Sequence, residues 1–262
     1  MFDKKYFNHI FKSLKLNYKT WFVLFVSCII ICWNTSIFWG SIEYLLCIMY
    51  AYLAHRVAHE PIGFFVNRAH IYHHEHTDWS SHAIQVCVEL AASYSPIVLL
   101  YYFMNLPDKV FPFDPYIFML FSIFYTSTHN INYGLLHING VHYEHHLDYS
   151  VNYGPDICDI IFKTKYPENG IENTDHYIPN IIIATIITYF FRMFYEKTEN
   201  KQQIKEILFK LYLLVCFIVS IFTTKKTFMD LQKMAQNEMD NFNNDINSIM
   251  LRLSSPNVYI NI

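Results

Sequence analysis

Two histidine motifs of the same form occur in the chain. Residues 70–74 read HIYHH and residues 142–146 read HYEHH, so both have the spacing His-x-x-His-His. Histidine accounts for 14 of the 262 residues, a frequency at which two such matches are expected by chance in fewer than about one chain in a thousand. The repetition therefore indicates a function that needs both motifs.

The spacing of these histidines suits metal binding on helices. Side chains three and four residues apart share one helix face, with Cβ atoms about 5–6 Å apart, so the histidines of one motif can converge on a metal. Three groups have this spacing: His55 with His59; His70, His73 and His74; and His142, His145 and His146. Eight imidazoles exceed the four ligands of a structural zinc site and suit two metal ions with open positions. Imidazole binds iron, copper, nickel and zinc, so the spacing alone does not name the metal.

The composition indicates a membrane protein. The chain is 53% hydrophobic, 18% aromatic and 16% charged, whereas about 25% of residues are charged in an average soluble protein. Its net charge of −3 gives no basis for nucleic-acid binding. Trp21–Gly40 and Pro115–His137 contain no charged residue, and each is long enough to cross a hydrocarbon layer of about 30 Å as a helix. A soluble all-helical protein is the alternative, but adjacent apolar blocks of this length would be hard to keep in water.

Four apolar blocks predict two antiparallel helical hairpins. The first pairs Trp21–Gly40 with Ser41–Ala54, and the second pairs His82–Met104 with Pro115–His137 through a proline-containing turn. Both motifs then follow a hairpin on the same face of the membrane, and the lysines before residue 20 indicate that this face is cytosolic. The predicted fold class is an all-α integral membrane protein. It has about four transmembrane helices, a helical metal site on the cytosolic face and further C-terminal helices.

The distribution of apolar and polar residues divides the chain into four segments. Residues 1–20 are an amphipathic N-terminal segment, and residues 21–179 are predicted to form a membrane catalytic domain. Residues 180–223 are predicted to hold interfacial or additional membrane helices, because their apolar blocks are shorter than a full span. Residues 224–262 form a polar amphipathic tail.

The motifs resemble those of the fatty acid hydroxylase/sterol desaturase superfamily of membrane di-iron oxygenases. The resemblance runs from YLAHRVAH (52–59) through RAHIYHHEH (68–76) and HYEHH to VNYGPDICDIIFKT (151–164). It implies that the eight histidines of the three groups are iron ligands. The middle box is incomplete, because relatives can carry H-x-x-x-H where this chain has His129 followed four residues later by Tyr133. His129 is expected as a ligand, and His137 is a candidate for the missing one.

Residues beside the boxes are candidates for holding the imidazoles in place. Metal-bound histidines usually donate their second N–H to a carboxylate, a carbonyl or water. Four residues are predicted to support the site in this way or nearby: Asp159, Asn152, Glu144 and His82. Asp159 matches the family aspartate, and Asn152 begins the family's N-Y-G. The closing motif departs from the family pattern, with Cys158 where relatives have tryptophan and Lys163 where they have glycine.

The resemblance implies an O₂-dependent oxidoreductase with two iron ions. Its substrate would be a fatty acyl, sphingoid, sterol or ether lipid, and either hydroxylation or desaturation in lipid biosynthesis would be the outcome. The chain contains no Rossmann fingerprint and no iron–sulfur cysteine set, so the electrons must come from an external donor, commonly cytochrome b5 in relatives. A multi-pass location is implied, in the endoplasmic reticulum membrane if the protein is eukaryotic, with the site on the cytosolic face.

Three alternatives to an active oxygenase stay open at this stage. A zinc-dependent membrane hydrolase would need three or four ligands rather than eight. A metal transporter would carry histidines or carboxylates along the middle of several spans, whereas here the histidines lie at the ends of the apolar blocks. The altered closing motif and the incomplete middle box would also fit a catalytically inactive relative.

Overall fold

The computed structural model describes residues 4–32, 36–60, 64–76, 78–98, 114–138, 140–166 and 170–254. Within these ranges the ordered elements are helical and none is a β-strand, which confirms the predicted all-α class. The α-helices are α1 (Lys4–Leu16), α2 (Tyr18–Ile31), α3 (Ile37–Ala58), α4 (Phe64–Glu75), α5 (Trp79–Val98), α6 (Pro115–Ser127), α7 (Val141–Leu147), α8 (Asp156–Phe162), α9 (Ile178–Lys197) and α10 (Lys201–Ser254). A π-helix (Thr128–Leu135) continues α6, and a 3₁₀ turn (Asp175–Tyr177) precedes α9.

Helix α6 lies at the centre of the bundle. It packs against α3, α5 and α9, and α9 also packs against α2. Its side chains Ile117, Leu120 and Phe121 are almost completely buried. Asp114 caps its N-terminus by accepting a hydrogen bond from the backbone N–H of Tyr116 at 2.8 Å, and Pro115 occupies the first helical position.

Two helical segments are long and apolar enough to cross a membrane. They are Ile37–Ala58 and Asp175–Lys197, and a third span results if α1 and α2, which meet at a bend of 67°, are counted as one. Both α3 and α9 turn large apolar side chains outward: Leu45, Leu46, Met49 and Leu53 on α3, and Ile183, Ile186, Phe190 and Phe194 on α9. Exposed apolar faces of this kind suit contact with lipid or with another apolar surface. The helices thus fit a membrane protein with two or three spans by length and composition.

The first predicted span is divided between two helices. Helix α2 ends at Ile31 and α3 begins at Ile37, so Trp21–Gly40 is not one helix. Ser36 caps α3 by accepting a hydrogen bond from the backbone N–H of Trp39 at 3.4 Å. The proline-containing turn predicted for the second hairpin spans residues 105–115. Residues 105–113 of this turn lie outside the described residues.

The apolar block at residues 181–191 is part of a longer helix than its length indicated. Helix α9 continues to Lys197 because the polar residue that follows the block, Arg192, is buried and has partners. Its guanidinium donates to Glu196 Oε1 at 2.9 Å and to the backbone carbonyl of Ile31 at the end of α2. A buried charge is tolerated when it is paired in this way.

The chain separates into two compact units, Met1–Val219 and Ser220–Ile262. The first unit contains the helices α1 to α9. In the described part of the second unit, residues 220–254 are helical and the described side chains from residue 221 onward are exposed.

Candidate metal centre

Four helical segments bring histidines to one region of the first unit. They come from the end of α3, from α4, from the π-helix and from α7. The contributing residues are His55 and His59; His70, His73 and His74; His129; and His142, His145 and His146.

The nine imidazoles form two groups. We name them the five-histidine cluster (His55, His59, His70, His74 and His145) and the four-histidine cluster (His73, His129, His142 and His146). Within each cluster, one ring nitrogen from every histidine lies within 4.8 Å of those of the others. The clusters are neighbours, since the rings of His74 and His146 are 4.2 Å apart between centroids.

Each His-x-x-His-His motif contributes to both clusters. In α4, His70 and His74 belong to the five-histidine cluster and the histidine between them, His73, belongs to the four-histidine cluster. Helix α7 has the reverse arrangement, with its middle histidine, His145, in the five-histidine cluster. The three histidines of one motif therefore do not converge on one metal position, although their spacing would allow this. Adjacent helical residues differ by about 100° around the axis, so the second and third histidines of a motif face different partners.

The distances between Nε2 atoms suit a cation in each cluster. In the five-histidine cluster, four Nε2 pairs are 3.0 Å apart: His55–His145, His145–His59, His59–His70 and His70–His74. In the four-histidine cluster, the Nε2 atom of His142 lies 2.7 Å from that of His129 and 3.0 Å from that of His146. Two ligands at right angles, each about 2.1 Å from one ion, are about 3.0 Å apart.

Hydrogen bonds at the second ring nitrogen leave Nε2 free to bind a metal. The Nδ1 atoms of His55 and His145 donate to the backbone carbonyls of Tyr153 at 2.5 Å and Val151 at 2.6 Å. A neutral imidazole that donates through Nδ1 carries its lone pair on Nε2. Both ring nitrogens of His73 are buried without a hydrogen-bond partner. A buried polar atom without a partner is costly, and a metal ion would supply a partner for one of these nitrogens.

The surroundings of His59, His73 and His145 keep these three imidazoles neutral. Burial, followed by repulsion from His129, lowers the pKa of His73 to about 2. Burial and the neighbouring His59 lower the pKa of His145 to about 3, and burial lowers that of His59 itself to about 4. Neutral imidazole is the form that binds metal. The donor set therefore fits transition-metal ions.

The comparison with family models agrees with this geometry. Residues 41–164 match the model of the fatty acid hydroxylase family. The matched segment covers just under half of the chain, 124 of its 262 residues. The match begins in α3, ends at Thr164 and includes all nine clustered histidines, so the resemblance seen in the motifs is confirmed. No curated protein and no solved structure matches the chain.

Asp159 holds the backbone on either side of α8 and, among the described contacts, bonds no imidazole. Its carboxylate accepts hydrogen bonds from the backbone N–H groups of Tyr153 at 2.9 Å and Gly154 at 2.7 Å, and from Thr164 Oγ1 at 2.7 Å. Because the carbonyl of Tyr153 accepts from His55, Asp159 supports the five-histidine cluster indirectly. Gly154 has a φ of 65°, a conformation that glycine adopts without strain.

Asn152 joins the start of α7 to the loop that follows α8. Its Nδ2 donates to the carbonyl of Val141 at the start of α7 at 3.1 Å, and its Oδ1 accepts from the N–H of Tyr166 at 3.0 Å. Glu144 is half-buried and, among the described contacts, makes no side-chain hydrogen bond to an imidazole. Among the described hydrogen bonds, neither side chain bonds a clustered ring, so their support of the site is also indirect.

Two predicted histidines lie outside both clusters. The ring of His82 is 5.9 Å from that of His73 and packs beside Gly134. His137 follows the end of the π-helix, is exposed and has a φ of 47°. The structure therefore does not bring the candidate for the missing ligand to the metal centre.

Glu89 of α5 contacts His129, although the sequence pattern did not assign Glu89 to the site. Its Oε1 accepts from His129 Nδ1 and from Gln85 Nε2, the latter at 2.8 Å, and its Oε2 accepts from Asn130 Nδ2 at 2.7 Å. Gln85 also lies 3.3 Å from Nδ1 of His70. The available signal was that Glu89 is an isolated acid within an apolar block, since such residues are functional candidates by default.

An aromatic cavity of about 50 Å³ lies against both clusters. Its walls include His55 from one cluster and His129 and His142 from the other. The remaining wall includes the carboxylates Asp159 and Glu172 and six aromatic side chains: Phe121, Phe124, Tyr125, Tyr133, Tyr153 and Tyr177. One water needs about 10–15 Å³ of such a cavity, so the cavity holds a few small molecules. It is too small for a whole lipid.

Proposed function

We propose that this protein is a membrane oxygenase that uses two iron ions and O₂ to hydroxylate or desaturate a lipid. The observation that carries the proposal is the pair of adjacent imidazole clusters beside one aromatic cavity. A single hydrolytic zinc needs three or four ligands, so two clusters of five and four histidines favour a two-metal oxygenase over a zinc hydrolase. The family of residues 41–164 is in keeping with an oxygenase.

The protein's own residues have three roles in this proposal. The nine histidines hold the metal ions, with Nε2 as the ligand atom wherever Nδ1 donates to a carbonyl or to Glu89. The aromatic cavity wall excludes water from the reacting carbon. Iron, when bound, would supply the chemistry that converts O₂ into an oxidant. This oxidant can remove a hydrogen atom from an unactivated C–H bond.

The proposed membrane arrangement has four spans in two hairpins. It is supported by the packing of α2 on α3 and of α5 on α6, while α9 would add a further membrane helix to the segment 180–223. The metal centre lies at the C-terminal end of α3, which we assign to the cytosolic face of the endoplasmic reticulum membrane if the protein is eukaryotic. Cytochrome b5 or a similar carrier would deliver electrons there.

The first experiment is elemental analysis of the full chain purified in detergent. We expect two iron ions per chain in the wild type and the loss of one in His73→Ala, because His73 is buried and its removal leaves three imidazoles in the four-histidine cluster. His9→Ala is the matched control, since His9 is exposed on α1. One tightly held zinc ion, or no metal in well-folded protein, would overturn the proposal.

A second experiment tests the reaction and the substrate class. The iron-loaded protein would be incubated with O₂, a reductase with cytochrome b5, and a panel of acyl, sphingoid, sterol and ether lipids. Mass spectrometry distinguishes the two outcomes, because hydroxylation adds one oxygen atom and desaturation removes two hydrogen atoms. An iron-loaded protein that modifies none of these lipids would contradict the assigned substrate class.

A further inference from the structure

The two clusters are built from equivalent histidines except at one position. Each receives two histidines, four residues apart, from one His-x-x-His-His motif and the middle histidine of the other motif. The five-histidine cluster adds a second pair at this spacing, His55 and His59 from α3. The four-histidine cluster adds only His129 from the π-helix. Compared with the five-histidine cluster, the four-histidine cluster therefore lacks one histidine beside His129.

Tyr133 occupies the corresponding position. It follows His129 by four residues, as His59 follows His55, and residues at this spacing lie on one helix face. Its ring stacks on that of His142, with 5.1 Å between centroids and an interplanar angle of 23°. Tyr133 also lines the aromatic cavity.

The phenol oxygen of Tyr133 is held by partners outside the clusters. It donates to Glu172 Oε1 at 2.5 Å and lies 2.5 Å from the hydroxyl of Tyr177. Glu172 and Tyr177 are both buried. A hydroxyl has one hydrogen to donate, so the bond to Glu172 keeps Tyr133 as a neutral phenol directed at this pair.

We infer that Tyr133 fills the place of a fifth ligand in the four-histidine cluster without binding the metal. This cluster therefore holds its divalent transition-metal ion more weakly than the five-histidine cluster does, and it keeps an open position toward the cavity. The inference rests on the proposed function in one respect, that both clusters bind metal. It adds that the two ions bind with different affinities and that Tyr133 sets the difference.

The test is a metal titration that needs no catalytic activity. The full-length protein, freed of metal with a chelator, would be titrated with Co²⁺, whose visible absorption reports imidazole coordination. We expect two binding steps in the wild type, the second at least about tenfold weaker. Tyr133→His should strengthen the second step by about tenfold or more. Tyr133→Phe, which loses the same hydrogen bonds without adding a ligand, should keep the wild-type pattern.

His59→Ala provides an independent variant in case the Tyr133 variants do not fold. It reduces the five-histidine cluster to four imidazoles, so the two steps should converge in affinity. Equal affinities in the wild type, no change in Tyr133→His, a weaker second step in Tyr133→Phe, or unconverged steps in His59→Ala would each overturn the inference. All four outcomes leave the two-metal proposal standing. Wild-type protein that binds fewer than two ions would overturn both.

Discussion

The two histidine clusters differ in what holds their imidazoles in place. In the five-histidine cluster, His55 and His145 donate to backbone carbonyls, whereas in the four-histidine cluster His129 donates to the side chain of Glu89. A point mutation can remove a carboxylate but leaves a backbone carbonyl in place. The four-histidine cluster should therefore be the more sensitive of the two, both to the loss of a ligand and to the loss of a supporting residue.

The largest predicted difference is in the iron content of two variants, His73→Ala and His74→Ala, which change neighbouring residues of one motif. His73→Ala leaves three imidazoles in the four-histidine cluster, and we expect one of the two iron ions to be lost. His74→Ala leaves four imidazoles in the other cluster, and we expect both ions to remain with weaker binding. Elemental analysis after dialysis measures the iron content of each variant. Equal iron loss in both would show that the division of the motif between two clusters is wrong.

Glu89→Gln should affect mainly the four-histidine cluster. Residues that hold a metal-bound histidine in place typically contribute 10–100-fold to affinity, so we expect the four-histidine cluster to bind its ion about 10–100-fold more weakly. The five-histidine cluster should change less, because Glu89 reaches it only through Gln85 and His70. Metal titration separates the two steps, and Glu60→Gln is the control, because Glu60 is exposed at the end of α3. If both steps weaken equally, Glu89 does not act through His129.

Asp159→Asn should act on the other cluster and more mildly. The amide can accept fewer of the three hydrogen bonds that the buried carboxylate accepts, and a buried donor left unsatisfied costs about 1–3 kcal/mol. We expect a lower thermal stability of the metal-free protein and weaker binding in the five-histidine cluster, through Tyr153 and His55. Asp148→Asn is the control, since Asp148 is exposed and bonds Ser150. An effect confined to the four-histidine cluster would contradict this route.

The histidines could be found from the sequence because helical spacing is local. His55 and His59, or His70 and His74, are one turn apart whatever the rest of the fold does. Their division between two clusters was not predictable, because it depends on how α4 and α7 face each other. Glu89 is 40 residues from His129 along the chain, and only the packing of α5 beside the π-helix shows that they are partners.

The helix boundaries show a similar limit. An uncharged run predicts a span, but the run at residues 21–40 has no charged residue to show where α2 ends. The available signal was NTS at residues 34–36, since such residues favour helix N-termini and Ser36 does cap α3. The backbone partners of His55 and His145 left no such signal, because a carbonyl group is the same in every residue.

His137 gives the smallest predicted effect, and its test bears directly on the comparison. Asparagine tolerates the positive φ at this position, so His137→Asn removes the imidazole with little backbone strain. We expect both steps of the metal titration to be unchanged, because His137 is exposed and outside both clusters. A weaker second step would mean that His137 joins the four-histidine cluster when metal binds. That cluster would then also have five imidazoles, and a difference in affinity between the clusters could no longer be attributed to the number of ligands.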